Sequence, residues 1–230
     1  MEYKITRSKR KTIALYVHPN GEVEVRCPLH LPKKTVERFV LEKRDWIEKH
    51  TAEFSERAAL RKTFYILPGD SLLYLGKRYP VLEGGKIKKA SFDGEAFWIP
   101  QNMEQDDLKR QLIRLYTALA QEELFERTQK FASVMDANFA GVQIHNVKTR
   151  WGSCTGKNKI YYAWKLILAD ERAVDYVVVH ELAHTFEHNH SKRFYSIVAR
   201  YLPDYKECAA LLRQLQSSLS LQDWDEIKIR

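Results

Sequence analysis

The first part of the chain alternates between apolar and polar positions with a period of two. Every second residue is Ile, Leu, Val or Cys over 13–17 and again over 23–27, and Pro19-Asn20-Gly21 lies between the two runs. This period puts alternate side chains on opposite faces of a strand, and the residues between the runs suit a tight turn. The pattern predicts a β-hairpin.

A helix and two further hairpins are predicted before residue 100. From residue 35 the apolar residues recur at near-helical spacing among charged ones, which predicts one amphipathic helix over 35–59. Pairs of short apolar runs separated by turn residues such as Gly76-Lys77 predict hairpins over 72–82 and 91–99. Residues 1–100 are therefore expected to form an N-terminal region rich in β-hairpins, with one helix.

A change of composition at Pro100 predicts a domain boundary there. In chain order the pattern then predicts a helix over 106–135, a strand over 142–148, a loop over 149–154 and a strand over 159–168. Asp170, Ser191 and Asp204 can each cap a following helix, the last of which ends near Leu219. The predicted fold class is α+β, with a C-terminal domain over 101–230 that contains a small sheet and several helices.

The composition is that of a folded globular protein. Of the 230 residues, 44% are hydrophobic and 30% are charged, which excludes disorder, collagen and coiled-coil arrays for the chain as a whole. The three cysteines, Cys27, Cys154 and Cys208, are too few for a disulfide framework and favour a reducing compartment. The first ten residues lack a signal-peptide core, and no stretch approaches the ~20 apolar residues of a membrane span. We expect a cytoplasmic protein without membrane contact.

The chain has a formal net charge of +8, from 38 Lys and Arg against 30 Asp and Glu. Such a charge more often means a solvated basic surface than a binding site, but it keeps nucleic acid open as a partner. The basic runs 9–11 and 86–89 and the pair Arg150-Trp151 are the segments that would contact a phosphate backbone.

Half of the eight histidines lie close together near the C-terminus, at His180, His184, His188 and His190. His180, Glu181 and His184 form the motif H-E-x-x-H after an apolar helical run. Residues i and i+4 share one face of a helix, so the two imidazoles can bind one Zn²⁺ ion. Glu181 lies about 100° around the axis, where its carboxylate can accept a proton from a zinc-bound water.

A catalytic zinc site needs a third protein ligand, for which the sequence offers three candidates. His188 lies ~12 Å along a straight helix from His180, too far for both to share an ion. Ser191 can cap the next helix, so a sharp turn before it would bring His190 back to the metal. His190 is therefore the preferred ligand, and Glu207 on the last helix is the alternative.

Other groups would complete such a site. The strand over 159–168 is a candidate rim for an extended peptide, and Tyr161, Tyr162 and Arg150 are candidates for stabilising an oxyanion. Cys154 is expected to be a small buried residue of its loop. The carboxylates that could accept a hydrogen bond from a ligating imidazole are Asp175, Glu187, Asp204 and Glu207.

Several segments, taken in order, resemble one family. They are Arg150-Trp151-Gly152-Ser153-Cys154, Trp164-Lys165-Leu166, the run 176–184 and Asn189-His190-Ser191-Lys192-Arg193-Phe194. With the first hairpin and Tyr74-Leu75-Gly76, they make the chain similar to the YgjP-like metal-dependent hydrolases, which are related to the SprT-like and WLM zinc metallopeptidases. The resemblance implies a zincin-type domain in which His180, His184 and His190 bind zinc. It also implies that Glu181 is the catalytic acid/base.

The function predicted from the sequence is a zinc metallopeptidase that cleaves a peptide or protein substrate, with Glu181 activating a zinc-bound water. Two alternatives stay open. One is a basic nucleic-acid-associated protein with a non-catalytic zinc site, and the other is a hydrolase of non-peptide amides. A further alternative gives the histidines no metal at all and makes them ordinary surface or core residues.

Overall fold

The computed structural model describes residues 2–18, 21–62, 64–224 and 227. The described residues group into two compact units, one within 1–64 and 220–223, the other within 65–219 and 224–230. They form six α-helices and three small sheets, which confirms the α+β fold class. The strands between 71 and 100 belong to the second unit, and the predicted domain boundary after residue 100 stays a prediction.

The first unit contains a three-stranded sheet. Its strands are β1 (Lys4–Ser8), β2 (Ala14–Val17) and β3 (Val23–Pro28), in the order β1-β3-β2. β2 and β3 pair antiparallel, which confirms the first predicted hairpin, although Pro19 and Asn20 of its turn lie outside the described residues. The sequence pattern does not predict β1, because Ile5 is its one large aliphatic residue. β1 is held by parallel pairing with β3, with Ile5 opposite Val25.

Two helices of the first unit replace the single helix predicted over 35–59. They are α1 (Lys33–Glu42) and α2 (Arg44–Lys62). The prediction is wrong at Lys43, whose N–H donates to the Val40 carbonyl three residues back, at 3.2 Å, instead of continuing the α-helical ladder. The spacing of apolar residues continues through this break, since Val36, Val40 and Ile47 belong to one core with the sheet. Periodicity alone therefore could not locate it.

The second unit begins with a four-stranded sheet. Its strands are β4 (Ser71–Tyr74), β5 (Lys77–Gly84), β6 (Ser91–Phe92) and β7 (Phe97–Pro100), in the order β4-β5-β7-β6. β4 pairs antiparallel with β5, and β6 with β7, which confirms the two later hairpins. Leu75 and Gly76 turn the first of them with φ angles of 49° and 76°, the left-handed values that a two-residue turn of this kind requires.

A long helix, α3 (Gln105–Met135), confirms the prediction over 106–135 and ends at Asp136 in the left-handed conformation. The three-stranded sheet that follows consists of β8 (Gly141–His145), β9 (Gly152–Cys154) and β10 (Lys159–Ala163), in the order β8-β10-β9. The predicted loop over 149–154 is thus partly wrong, because its last three residues pair antiparallel with β10. The predicted strand over 159–168 ends early, because Trp164–Leu168 forms a fully buried 3₁₀ helix packed on α3.

Three helices complete the second unit, namely α4 (Glu171–Ala183), α5 (Lys192–Tyr201) and α6 (Tyr205–Leu219). The Asp170 side chain accepts a hydrogen bond from the Arg172 N–H, and the Ser191 side chain accepts one from the Phe194 N–H, which confirms both predicted caps. α6 begins directly after Asp204, as expected. None of the described helices has a stretch long and apolar enough to cross a bilayer.

Arg127 of α3 fixes the position of α4. Its side chain is 15% exposed and donates hydrogen bonds to Asp175 at 2.6 Å and to Glu171 at 3.1 Å, both on α4, and to Glu123 on its own helix. A guanidinium with this degree of burial needs such partners, because desolvation without them is costly. The start of α4 is therefore tied to the middle of α3.

Gly76→Ala is expected to lower the free energy of unfolding by about 3 kcal/mol, because it adds left-handed strain and a steric clash. A Cβ at Gly76 would lie 2.7 Å from the Cα of Asp170, the residue that caps α4. Gly94→Ala is the matched control, since Gly94 also has a positive φ but no atom within 4 Å of its Cβ position. Urea denaturation of the three proteins measures the difference, and equal losses in both variants would contradict a tight contact at Asp170.

Candidate metal centre

The C-terminal end of α4 and the turn after it bring three histidines together. His180 and His184 are four residues apart on α4 and at its C-cap, so they share one face of the helix. The chain then turns, with the Glu187 N–H donating to the Ala183 carbonyl, and Ser191 caps α5. His190 lies directly before that cap and returns to the face of α4 that holds the other two.

The ring nitrogens of His180, His184 and His190 converge. One nitrogen from each lies within 4.8 Å of the other two, and no other group of this kind occurs among the described histidines, cysteines and carboxylates. The Nε2 atoms of His180 and His190 are 3.1 Å apart. Two nitrogens bound tetrahedrally to one zinc ion at ~2.05 Å would be separated by roughly 3.3 Å. This separation fits a tetrahedral metal site.

The apolar ring of Phe194, on α5, packs against these three imidazoles. It is fully buried, and its ring centroid lies 4.8, 4.5 and 4.8 Å from those of His180, His184 and His190. An aromatic residue three positions after a cap has no distinctive sequence signal, so its place at the site follows only from the way α5 packs on α4.

Burial keeps two of the imidazoles neutral. It lowers the pKa of His180 to about 3, with smaller contributions from the neighbouring His184 and His190, and it also lowers the pKa of His184. A neutral imidazole has the lone pair that a metal ligand needs. The Nδ1 atom of His184 lies 3.1 Å from the backbone carbonyl of Glu187, whereas the buried Nδ1 of His180 has no hydrogen-bond partner among the described residues.

Glu181 lies beside the three histidines in an environment that disfavours its charge. Glu181 is only 4% exposed, and its buried Oε2 has no hydrogen-bond partner among the described residues. Burial raises the pKa of Glu181 to about 8, an effect that the positive charge of Arg150 partly opposes. A buried carboxylate without a fixed partner can take up and release a proton near neutral pH.

Gly152 of β9 leaves room for that carboxylate. A Cβ at this position would lie 2.5 Å from Oε1 of Glu181 and 2.9 Å from its carboxyl carbon. The sequence motif around Gly152 indicates a loop and gives no reason for a glycine. The reason is tertiary, because β9 passes directly against the Glu181 side chain.

These groups line an open cleft of about 520 Å³, with one wall formed by β9 and the other by the histidines and Glu181. Cys154 lies in this cleft as a half-buried residue of β9, so its predicted place in a buried loop is wrong. Burial, with a smaller contribution from Glu181, raises the pKa of the Cys154 thiol to about 11, which keeps it protonated at neutral pH. His188 also lines the cleft, but it does not converge with the other three histidines.

Several candidates from the sequence lie elsewhere or are engaged in other contacts. The carboxylate of Glu207, the alternative third ligand, accepts a hydrogen bond from Arg172 at 3.2 Å, and Asp204 pairs with the same arginine. Asp175 pairs with Arg127. The partner of His184 is thus a backbone carbonyl rather than any of the four carboxylates considered.

The structure also alters which residues can form the substrate rim and which can stabilise an oxyanion. β10 lies between β8 and β9, so it is a central strand and not the candidate rim, and β9 is the edge strand beside the cleft. The Tyr162 hydroxyl is buried and lies 3.0 Å from the Thr128 hydroxyl, away from solvent. Tyr161 lies next to it on β10 and therefore points to the opposite face of the sheet.

Comparison with known proteins gives a match to one family. The model of the YgjP-like family, described as a metallopeptidase domain, matches residues 11–215. Among curated proteins, none matches the chain. Two solved metallopeptidase zymogens are similar over less than half of it. Abylysin from Pyrococcus abyssi is 17% identical with a TM-score of 0.38, over 43% of this chain and 97% of that one. Jannalysin from Methanocaldococcus jannaschii is 18% identical with a TM-score of 0.36, over 42% of this chain and 96% of that one.

Proposed function

Since the chain belongs to the YgjP-like family of metallopeptidase domains, we propose that it is a zinc-dependent peptidase whose ion is held by His180, His184 and His190. The observation that carries this proposal is the convergence of three imidazole nitrogens beside the Glu181 carboxylate, whose buried Oε2 has no hydrogen-bond partner among the described residues. Three converging imidazoles with one side open to a cleft suit zinc in a catalytic rather than a structural site.

Glu181 is the general acid/base in this proposal. Zinc, when bound, would polarise the attacking water and the substrate carbonyl. The Glu181 carboxylate takes the proton from that water and passes it to the nitrogen of the leaving amine. Its burial supports this role, because a carboxyl group whose two protonation states are close in free energy can serve in both directions.

The edge strand β9 is the proposed guide for the peptide. Strand order leaves one side of β9 without a neighbour among the described strands, and its three residues line the cleft. An extended peptide can pair with such an edge through main-chain hydrogen bonds. This arrangement would carry the scissile bond past the histidines and Glu181.

Metal analysis tests the ligand set directly. Protein purified without added metal is expected to contain about one zinc ion per chain by mass spectrometry, as for other sites with three protein ligands. His190→Ala is expected to lose most of this zinc, whereas His188→Ala keeps it, because His188 does not converge with the other histidines.

Circular dichroism on each variant separates loss of metal from loss of fold. Zinc retained by His190→Ala would move the third ligand to His188 or Glu207. A wild-type chain without zinc, even after zinc is added, would refute the metal site.

A further inference from the structure

A second pocket lies beside the metal cleft. This outer pocket measures about 280 Å³, and its lining includes Arg150, His145, Tyr161 and the three residues of β9. The three residues of β9 line both the outer pocket and the cleft. Whatever lies along the edge of β9 therefore has access to both.

The outer pocket and the cleft share β9 but differ in the other side chains that line them. Gly152 faces Glu181, and its cross-strand neighbour Tyr162 reaches α3. Successive side chains of a strand point to opposite faces, so Ser153 and its neighbour Tyr161 face the other way. On that second face Tyr161 contacts the His145 ring with centroids 4.5 Å apart, and both residues line the outer pocket.

The charge of the outer pocket is positive. None of the described residues that line it is acidic. Arg150 is exposed, and the described residues supply it with no hydrogen bond or ion pair, whereas Arg127 and Arg172 are both paired with carboxylates. The Lys159 ammonium lies 5.5 Å from the Tyr161 ring centroid. The pocket thus presents a guanidinium that has no acidic partner among the described residues, beside the aromatic ring of Tyr161.

We propose that the outer pocket binds a carboxylate of the substrate and that Arg150 is its partner. The proposal rests on the peptidase function above and adds a substrate class, namely peptides with an acidic group near the cleaved bond. A guanidinium binds a carboxylate through two parallel hydrogen bonds, which gives direction as well as affinity. The outer pocket shares all three residues of β9 with the cleft, so a carboxylate bound there lies next to the cleft that holds the histidines and Glu181.

Two sources could supply this carboxylate, an Asp or Glu side chain or the C-terminus of the peptide. Both have the same chemistry at Arg150, and matched peptides distinguish them. The first set has a blocked N-terminus, an amidated C-terminus and one Glu moved through successive positions, each compared with Gln at that position. The peptides of the second set have no acidic side chain. Each is tested with a free C-terminus and with an amidated C-terminus, and the two forms are compared.

Two readouts keep this proposal separate from the peptidase function. One is kcat/KM for cleavage by the zinc-loaded wild-type protein. The other is Kd from calorimetry with zinc-loaded Glu181→Gln, which binds without needing to cleave. We expect the carboxylate at one position to improve both by about tenfold over its neutral match, as a charge-assisted pair can.

Variants of Arg150 test whether this residue causes the preference for a carboxylate. In Arg150→Gln the preference is expected to fall below about twofold, and Arg150→Glu is expected to prefer Lys at the same position. Lys148→Gln is the matched control, because it removes a like charge from the same segment but does not line the outer pocket. It should keep the wild-type preference.

Each outcome bears on one proposal. Cleavage without any carboxylate preference would refute the outer pocket and leave the peptidase function intact. A preference in binding, lost in Arg150→Gln, without cleavage of any peptide would support the pocket and refute the peptidase function. A preference that survives in Arg150→Gln, or that Lys148→Gln also abolishes, would refute the role of Arg150.

Discussion

Glu181→Gln is expected to lower kcat for peptide cleavage by about 10³-fold while leaving zinc content unchanged, within the range typical of lost general acid/base catalysis. Gln is close to Glu in size and fits the same buried site, but it cannot take up the proton. The carboxyl group that this substitution removes is not one of the three converging groups, so the zinc content should not change. Cleavage of a fluorogenic peptide library and zinc analysis on the same preparation check both parts.

His184→Ala is the comparison for this variant. It removes one of the three converging imidazoles and should lose zinc and activity together. A Glu181→Gln protein that still cleaves peptides at the wild-type rate would remove Glu181 from the mechanism. A wild-type protein that holds zinc and binds DNA with a steep salt dependence, but cleaves nothing, would favour the nucleic-acid-associated alternative.

Gly152→Ala is expected to reduce kcat by about 10²-fold, the cost of displacing a catalytic group by roughly 1 Å. The new Cβ would lie 2.5 Å from Oε1 of Glu181, closer than real contacts allow, so the carboxylate must move. The three converging histidines are not in this contact, so zinc content is expected to stay at the wild-type value. Steady-state kinetics measure kcat, and metal analysis of the same protein measures the zinc content.

Gly156→Ala is the matched control for this substitution. Gly156 also lines the cleft, but a Cβ there would meet no atom within 4 Å. It should therefore leave kcat within about twofold of wild type, as a surface substitution without new contacts normally does. Full activity in Gly152→Ala would mean that β9 gives way to the new methyl group, and that Glu181 does not depend on its present position.

Local patterns were sufficient for much of the fold. Turn residues between alternating runs predicted the three hairpins, and Asp170 and Ser191 predicted the starts of two helices, because turns and caps depend on neighbours within a few residues. The long α3 was equally clear from thirty residues without a helix breaker. The break at Lys43 could not be predicted from the sequence, since the apolar spacing continues through it without interruption.

The elements that were mistaken are those whose partners lie far along the chain. β1 and β9 are strands because a central strand pairs with each, and neither has an apolar alternation of its own. The 3₁₀ helix over Trp164–Leu168 is apolar in every position but one, so its pattern could not be told from a buried strand. Packing on α3 decided its conformation.

For the site, the sequence by itself determined which groups share a helix face. The four-residue spacing of His180 and His184 and the place of Glu181 between them follow from helix geometry alone. Only the tertiary structure decided that His190 returns to that face, that Phe194 lies beneath the imidazoles and that Gly152 makes room for Glu181. These contacts join residues on separate elements, so their geometry depends on how α4, α5 and β9 pack, which no local pattern specifies.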